Sequence, residues 1–393
     1  RCFCELKVPE LKQKYGRKSE HISNVCMGFL APQYLMDTKK GSEEHAMTGA
    51  LGGNLIDDYG IWCNYGLISH LFKYHKKHDM FQYLLPKEEF DSIPWDLWDK
   101  KDPAFLIDFY RRIAYREGEI AHMADGMSDL IERWKLDGRN PDLGYWDIHK
   151  ESSVKIFNKK TNAAVHHASE TAGQVGTLIN MVFNRDAQCH SHINIVNCGL
   201  PQDMIETIAA EFWGEGAFDK VKWYTPINPA KVKFAKWSLV KNVLHDSLTL
   251  CNWMFPLLAS PDKNRNYRGD STIESQMFSL VTGKEVTETE LDFMAERVLH
   301  LHRALTIIQM NEINMRNEHD VLSDWVYDLD PDKAFGDEGT IKMDRDDIQK
   351  ALDMFYDDFG WDRQTGAPLR STLEKFGLGY AADALEARGL LPG

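Results

Sequence analysis

The chain has 393 residues, with 46 Lys and Arg against 60 Asp and Glu and a formal charge of −14. That surplus repels phosphate backbones and anionic membrane surfaces, which argues against nucleic acid as a partner, and no apolar run approaches the ~20 residues needed to span a bilayer. The length allows two or three domains with cores of their own, and seven cysteines without regular spacing fit a reducing, cytoplasmic setting better than a disulfide framework.

The chain opens RCFCELKV, with no initiator methionine and no targeting pattern, so residue 1 need not be the biological start. KKGSEEHAM supplies Glu43, Glu44 and His45, a candidate carboxylate source, although a charge run is usually a wet surface. IDDYGIWCNYGLISHLFKYH (56–75) reads as one helix, with WCNYG (62–66) as core packing inside it. Residues 102–134 read as two helices broken around Gly118. KLDGRNPDLGYWD (135–147) is loop-like and sets the expected boundary between a helical domain at 1–140 and a second at 141–393. YTPINPAKVK (224–233), SPDKNRNYRGDS (260–271) and DLDPDKAFGDEG (328–339) also read as loops, since Pro, Gly, Asn and Asp cluster there. VTETELDFMAERVLHLHRALTII is predicted helical: Thr287 and Glu290 make a capping box, and Leu291, Met294, Val298, Leu301, Leu305 and Ile308 recur every three or four residues. A further helix opens at Asp344, is lined by Ile348, Leu352 and Phe355 and stops at Gly360; a short one is predicted from Ser371, with Glu374 three residues on, to Gly377. Long alternating strand patterns are scarce, so the expected fold is mainly α.

Reactive side chains concentrate in FNRDAQCHSHIN (183–194). His190 and His192 cannot share a helix face but share one if the segment is extended, where they could bind a metal or move protons; one core and one solvated histidine is the commoner outcome. Arg185 suits a phosphate or carboxylate, or an ordinary ion pair with Asp186. In HDSLTLC (245–251), Cys251 is the right soft ligand for iron and Asp246 could accept hydrogen bonds from an amine-rich heterocycle, while Cys251 alone reads more simply as a small buried hydrophobe. Cys2 and Cys4 fit no standard zinc or cluster spacing by themselves. VHHASETAGQVG (165–176) has two glycines three apart, by default a loop entering a helix rather than a phosphate cradle.

In this order the pieces resemble the tungsten-containing aldehyde ferredoxin oxidoreductase family. FNRDAQCHSH resembles its NRGACH element and HDSLTLC its D-x-x-G-L-C element; MRNEHDVLSDW and GWDRQTGAPLRSTLEKFGLG resemble its closing run. IDDYGIWCNYG, VHHASETAGQVG and NRNYRGDS are most similar to a bacterial branch whose substrates are not established. The resemblance implies the two helical C-terminal domains of that fold, with no counterpart here to the family's N-terminal β-rich pterin domain. It implies a tungsten or molybdenum bis-pterin, a [4Fe–4S] cluster, oxidation of an aldehyde to a carboxylic acid, a ferredoxin or iron–sulfur subunit as electron acceptor, and room for a homodimer. By the same likeness Cys251 and Cys2 are two of four cluster ligands, Asp246, Leu250, Arg185 and Asn184 contact the cofactor, and His190 and Glu44 (or its neighbour Glu43) serve catalysis. Thr249 stands where the family has glycine, and SHLFKYH departs from the expected second pterin motif. Reduction of a carboxylate or activated aromatic acid with the same cofactor, and a non-catalytic interaction subunit, are the rival readings. For an acidic carrier to dock, a chain at −14 needs a local basic patch, expected at KVKFAKWSLVKN (231–242).

Overall fold

A computed structural model describes residues 6–22, 27–61, 67–125, 130, 133–134, 155–158, 163–165, 173–182, 200–218, 226–251, 255–322 and 344–393. Helix dominates, as expected, and the described strands form only two-stranded sheets. The chain divides into two compact units, Arg1–Ile156 and Phe157–Gly393.

In the first unit, β1 (Leu6–Lys7) pairs antiparallel with β2 (His21–Ile22) around α1 (Glu10–Gln13). Then come α2 (Met27–Met36), α3 (Glu43–Tyr59), α4 (Leu67–Lys77), α5 (Phe81–Leu84), α6 (Lys87–Ser92), α7 (Trp95–Asp99) and α8 (Phe105–Tyr115). The single helix expected over 56–75 is a correction: α3 ends at Gly60, whose φ of 62° and ψ of 29° an L residue rarely adopts, and α4 starts afresh at Leu67. The WCNYG residues, 62–66, lie outside the described residues. Gly52 lets α2 and α3 meet, because a Cβ there would sit 2.2 Å from Pro32 Cγ. Phe72 of α4 anchors the core, with ring centroids 5.0 Å from Phe81, 5.6 Å from Phe105 and 4.8 Å from Phe109. The predicted break near Gly118 is present. Beyond it a 3-10 helix (Glu119–Asp125) is opened by the Glu89 carboxylate, which accepts from the backbone N–H groups of Glu119 and Ile120 at 2.8 and 2.9 Å.

β3 (Lys155–Asn158) pairs with β4 (Ala163–Val165). The second unit then runs through α9 (Gly173–Val182), α10 (Gln202–Trp213), α11 (Pro229–Leu248), β5 (Leu257–Ala259), β6 (Arg268–Asp270), α12 (Ile273–Thr282), α13 (Glu288–Met310), α14 (Met315–Glu318), α15 (Arg345–Phe359), α16 (Arg370–Lys375) and α17 (Gly379–Glu386). α11 lies at the centre, with Phe234, Ala235, Leu239 and Leu244 packed into one core with residues of α9, α10, α13 and α15. The stretch read as a loop at 224–233 is therefore half helix. Asn228 caps α11 by accepting from Lys231 N–H at 2.8 Å, and Pro229 occupies the first turn, where its missing N–H costs nothing. The stretch at 260–271 also holds β6, whose Gly269 passes so close to Leu257 that a Cβ would lie 1.8 Å from the Leu257 carbonyl oxygen.

α13 has the predicted capping box at Thr287 and Glu290, but it buries another face than its apolar stripe suggested. Leu291 is internal, whereas Met294, Val298 and Leu305 are 46%, 43% and 49% exposed; the core side carries Ala295, Leu299, His300, Arg303, Ala304 and Ile307. α15 is capped by Asp344 and stopped at Gly360 as expected. α16 starts one residue earlier than predicted: Leu369 precedes it without a side-chain cap, and Ser371 sits inside the first turn.

Candidate functional site

Three of the described candidate residues, Asp246, Leu250 and Cys251, gather at the C-terminal end of α11. This 20-residue helix carries polar groups into the core and satisfies each in turn. Asn242 Nδ2 donates to the Ser238 carbonyl at 3.0 Å. Lys241, almost fully buried, lies 2.9 Å from Glu288 and 2.7 Å from Asp292 of α13. Burial pulls the Lys241 ammonium down, but the carboxylates of Asp292 and Glu288 outweigh it and hold its pKa above the ordinary value. The pair is asymmetric: on Asp292 burial wins over Lys241, and its carboxyl titrates above the usual range.

One turn later, His245 Nε2 lies 3.1 Å from Glu274 Oε1, with both side chains fully buried. Glu274 is the second residue of α12, and its Oε2 finds no hydrogen-bond partner among the described residues. Nothing in the local sequence singled out this pair, although His245 heads the HDSLTLC stretch.

Asp246, adjacent to His245, is exposed. Thr249 then closes the helix with φ 58° and ψ 31°, its N–H directed at the Asp246 carbonyl at 3.4 Å, and Leu250 N–H reaches back to the His245 carbonyl at 2.8 Å. The two backbone bonds make a Schellman-type ending, which favours glycine at the left-handed position. The family glycine therefore has a local conformational reason, and here Thr249 adopts the same conformation, so the substitution leaves the turn's backbone in place. Leu250 and Cys251 follow half-buried, and the Cys251 carbonyl accepts from Phe255 N–H at 3.0 Å. The turn thus carries an exposed carboxylate and a partly accessible thiol five residues apart on a rigid helix end.

Glu44 lies in the first turn of α3 beside Glu43 and is exposed. Backbone hydrogen bonding there and the Ser42 hydroxyl hold its carboxyl below the usual range. The Ser42 side chain accepts from His45 N–H at 3.1 Å. His190, His192, Arg185, Asn184 and Cys2 lie outside the described residues; SHLFKYH (69–75), which departs from the expected second pterin motif, is part of α4.

The basic patch expected at 231–242 is a correction. Lys231 is fully buried and donates to the Pro226 carbonyl, Lys241 is held by Glu288 and Asp292, and Lys236 lies 2.9 Å from Glu296; only Lys233 is exposed. The segment is a core helix, and its lysines serve inside the fold.

A second buried polar cluster closes the unit. Arg303 donates to both Asp320 oxygens at 2.9 and 2.5 Å and to the Gly366 carbonyl, Tyr356 Oη donates to Asp320 at 2.6 Å, and His319 Nδ1 lies 2.7 Å from the same carboxylate. These residues join α13 to MRNEHD and to the GWDRQTGAP turn, giving those stretches a structural role.

The fold and the α11 turn define a mainly helical, two-unit chain displaying one candidate soft metal ligand and one candidate heterocycle acceptor. Comparison with known proteins gives it a place: residues 41–378 match the family described as aldehyde ferredoxin oxidoreductase, domains 2 and 3. The chain belongs to the aldehyde ferredoxin oxidoreductase family, among proteins built on a tungsten- or molybdenum-pterin oxidoreductase fold. A solved structure of the active-site complex BamBC of benzoyl coenzyme A reductase, with 1,5-dienoyl-CoA, is similar at 18% identity and a TM-score of 0.49. The alignment covers 84% of this chain and 45% of that one, so the chain spans under half the length of that relative.

The described residues hold no group of three or more His, Cys, Asp or Glu able to bind a metal ion. Their chemistry still fits one edge of the family's cofactor site: a half-buried thiol is a suitable iron ligand, and an exposed carboxylate on a capped turn can accept from an amino-heterocycle. No helix among the described residues is long and apolar enough to cross a membrane.

Proposed function

We propose that the chain is the helical portion, with domains at 1–140 and 141–393, of an oxidoreductase that converts an aldehyde to a carboxylic acid and delivers the electrons to a ferredoxin-like acceptor. The observation that carries the reading is the turn after α11, where Asp246, Leu250 and Cys251 stand in the family's order with the family's glycine position in a left-handed conformation. When bound, a tungsten or molybdenum bis-pterin supplies the two-electron oxidation of aldehyde plus water, and a [4Fe–4S] cluster supplies one-electron exit.

The chain's own residues would do the rest. Cys251 and Cys2 would provide two cluster thiolates. Asp246 would accept hydrogen bonds from a pterin, Leu250 would pack against it, and Arg185 with Asn184 would meet its phosphate or polar edge. His190 and Glu44 would hold and move the protons released as the acid forms. The buried His245–Glu274 pair fixes one side of α11's last turn, so that Asp246 is presented from a rigid support.

The test is metal analysis of the native full-length protein, purified without oxygen, together with aldehyde-dependent reduction of a viologen dye. Tungsten or molybdenum with dye reduction supports the reading, and absence of both metals overturns it. Running the assay from reduced dye and a carboxylate or aromatic acid tells oxidation from the reductive alternative.

A further inference from the structure

We propose that the outward face of α13 is the interface through which two copies of this chain pair as a symmetric dimer. Met294, Val298, Leu301 and Leu305 follow one another at intervals of four, three and four residues, and with about 100° of turn per residue they form a single stripe along the helix. The stripe lies opposite the side that enters the core, which carries Leu299, His300, Arg303 and Ile307. Met294, Val298 and Leu305 are nearly half exposed, and Leu301 is half-buried against the cluster that includes Leu373 and Leu378. Polar relief is slight: from 291 to 308 the only exposed charged residue is Arg297, and its Nε already donates to the Phe376 carbonyl at 3.0 Å. A surface helix ordinarily turns charged residues to water; one that is apolar on both sides calls for cover on the second.

The spacing itself points to a second copy. Four-three-four reads the same from either end, so an antiparallel copy matches the stripe without slipping: Met294 meets the partner's Leu305 and Val298 the partner's Leu301, each pair made twice about the two-fold axis. Alternating three- and four-residue apolar intervals are the seam of a helix pair, whose side chains interlock as knobs into holes. Antiparallel helices also bring opposite ends of their macrodipoles together. α13 needs no ordering beforehand, since the Thr287–Glu290 capping box fixes its start and Asn311, in a left-handed conformation, fixes its end. Other occupants fit less well. A helix lying on a membrane surface borders its apolar face with lysines and arginines, and here only Arg297 does so, on a chain at −14. A transient electron carrier is steered by complementary charge, which the stripe does not offer.

The experiment measures the mass of the native full-length protein by analytical ultracentrifugation over a range of concentrations. Beside it run Leu305→Glu, the double variant Met294→Lys, Leu305→Glu, and the control Leu280→Glu, Val281→Glu, which charges exposed apolar residues of α12 instead. Circular dichroism confirms that all four proteins fold. The expected result is a wild-type dimer and at least a tenfold rise in its dissociation constant with Leu305→Glu. Adding Met294→Lys, which supplies the opposite charge across the two-fold axis, is expected to recover most of that loss, and the control is expected to match the wild type. A monomeric wild type, as would follow if a further part of the full-length chain or a different subunit covered the stripe, overturns the proposal. So does a dimer indifferent to Leu305→Glu, or one that Met294→Lys fails to restore.

Discussion

Asp320 receives both arms of the Arg303 guanidinium, at 2.9 and 2.5 Å, with each side chain essentially out of solvent. Burial alone would push the Asp320 carboxyl up; Arg303 and the His319 hydrogen bond outweigh it and bring the pKa to about 2. An unfolded aspartate titrates near 3.9, so the folded state binds fewer protons between the two values and stability rises with pH there. The contribution, roughly 2 kcal/mol, is present above about pH 4 and is lost as pH falls toward 2. Asp320→Ala leaves Arg303 buried without its partner and is expected to cost about 3–5 kcal/mol at neutral pH. Denaturant unfolding from pH 7 to pH 2.5 checks both; a variant as stable as the wild type at pH 7 contradicts the pairing.

His300 is fully buried; its Nδ1 accepts from Trp361 Nε1 at 3.0 Å and its Nε2 lies 3.6 Å from Glu296. Burial lowers the imidazole pKa; Glu296 acts the other way, Lys236 and Lys375 add to the lowering, and burial wins. Stability from the neutral ring is therefore full above the unfolded value of about 6.5 and is lost as pH falls through the folded one. Trp361 fluorescence followed during unfolding between pH 8 and pH 5 should show this slope, and His300→Gln should flatten it.

At Thr249 the left-handed backbone carries a β-branched side chain. Thr249→Gly should raise stability by about 1 kcal/mol, or a melting temperature higher by roughly 2–4 °C for a unit of this size. A lower melting temperature would mean that the threonine side chain makes compensating contacts.

Gly52→Ala places a methyl against the Pro32 ring, which belongs to a packed helix and cannot swing away. Overpacking of this kind costs about 1–3 kcal/mol, so thermal unfolding of the first unit should move down by several degrees. An unchanged transition would show that α2 and α3 can separate without penalty.

Local signals reached some of these features. The capping box at Thr287 and Glu290 and the Asp344 and Gly360 ends of α15 are carried by neighbouring residues, so periodicity and cap chemistry found them. Asn228-Pro229 is also a local start signal, but its surroundings of Pro, Asn and Thr resembled a loop. The burial of Lys231 and Lys241 was not legible, because the Pro226 carbonyl and the α13 carboxylates that accept them are chosen by tertiary packing. The same holds for α13, where an ion-paired arginine and small residues are internal while Met294 and Val298 face outward. At the candidate site, Asp246 and Cys251 were found through resemblance, and the structure supplies the reason for their spacing: a helix end and a left-handed turn. The His245–Glu274 pair behind them joins residues 29 apart in sequence, beyond any local pattern.

The central claim is that the turn after α11 ends in a cluster ligand. The most direct test counts iron, tungsten and molybdenum in the native full-length protein and in Cys251→Ser, with circular dichroism confirming that both fold. About four irons per chain with tungsten or molybdenum in the wild type, and most of the iron lost in the variant, is the expected result. Iron retained in full by Cys251→Ser, or a wild-type protein without iron, contradicts it.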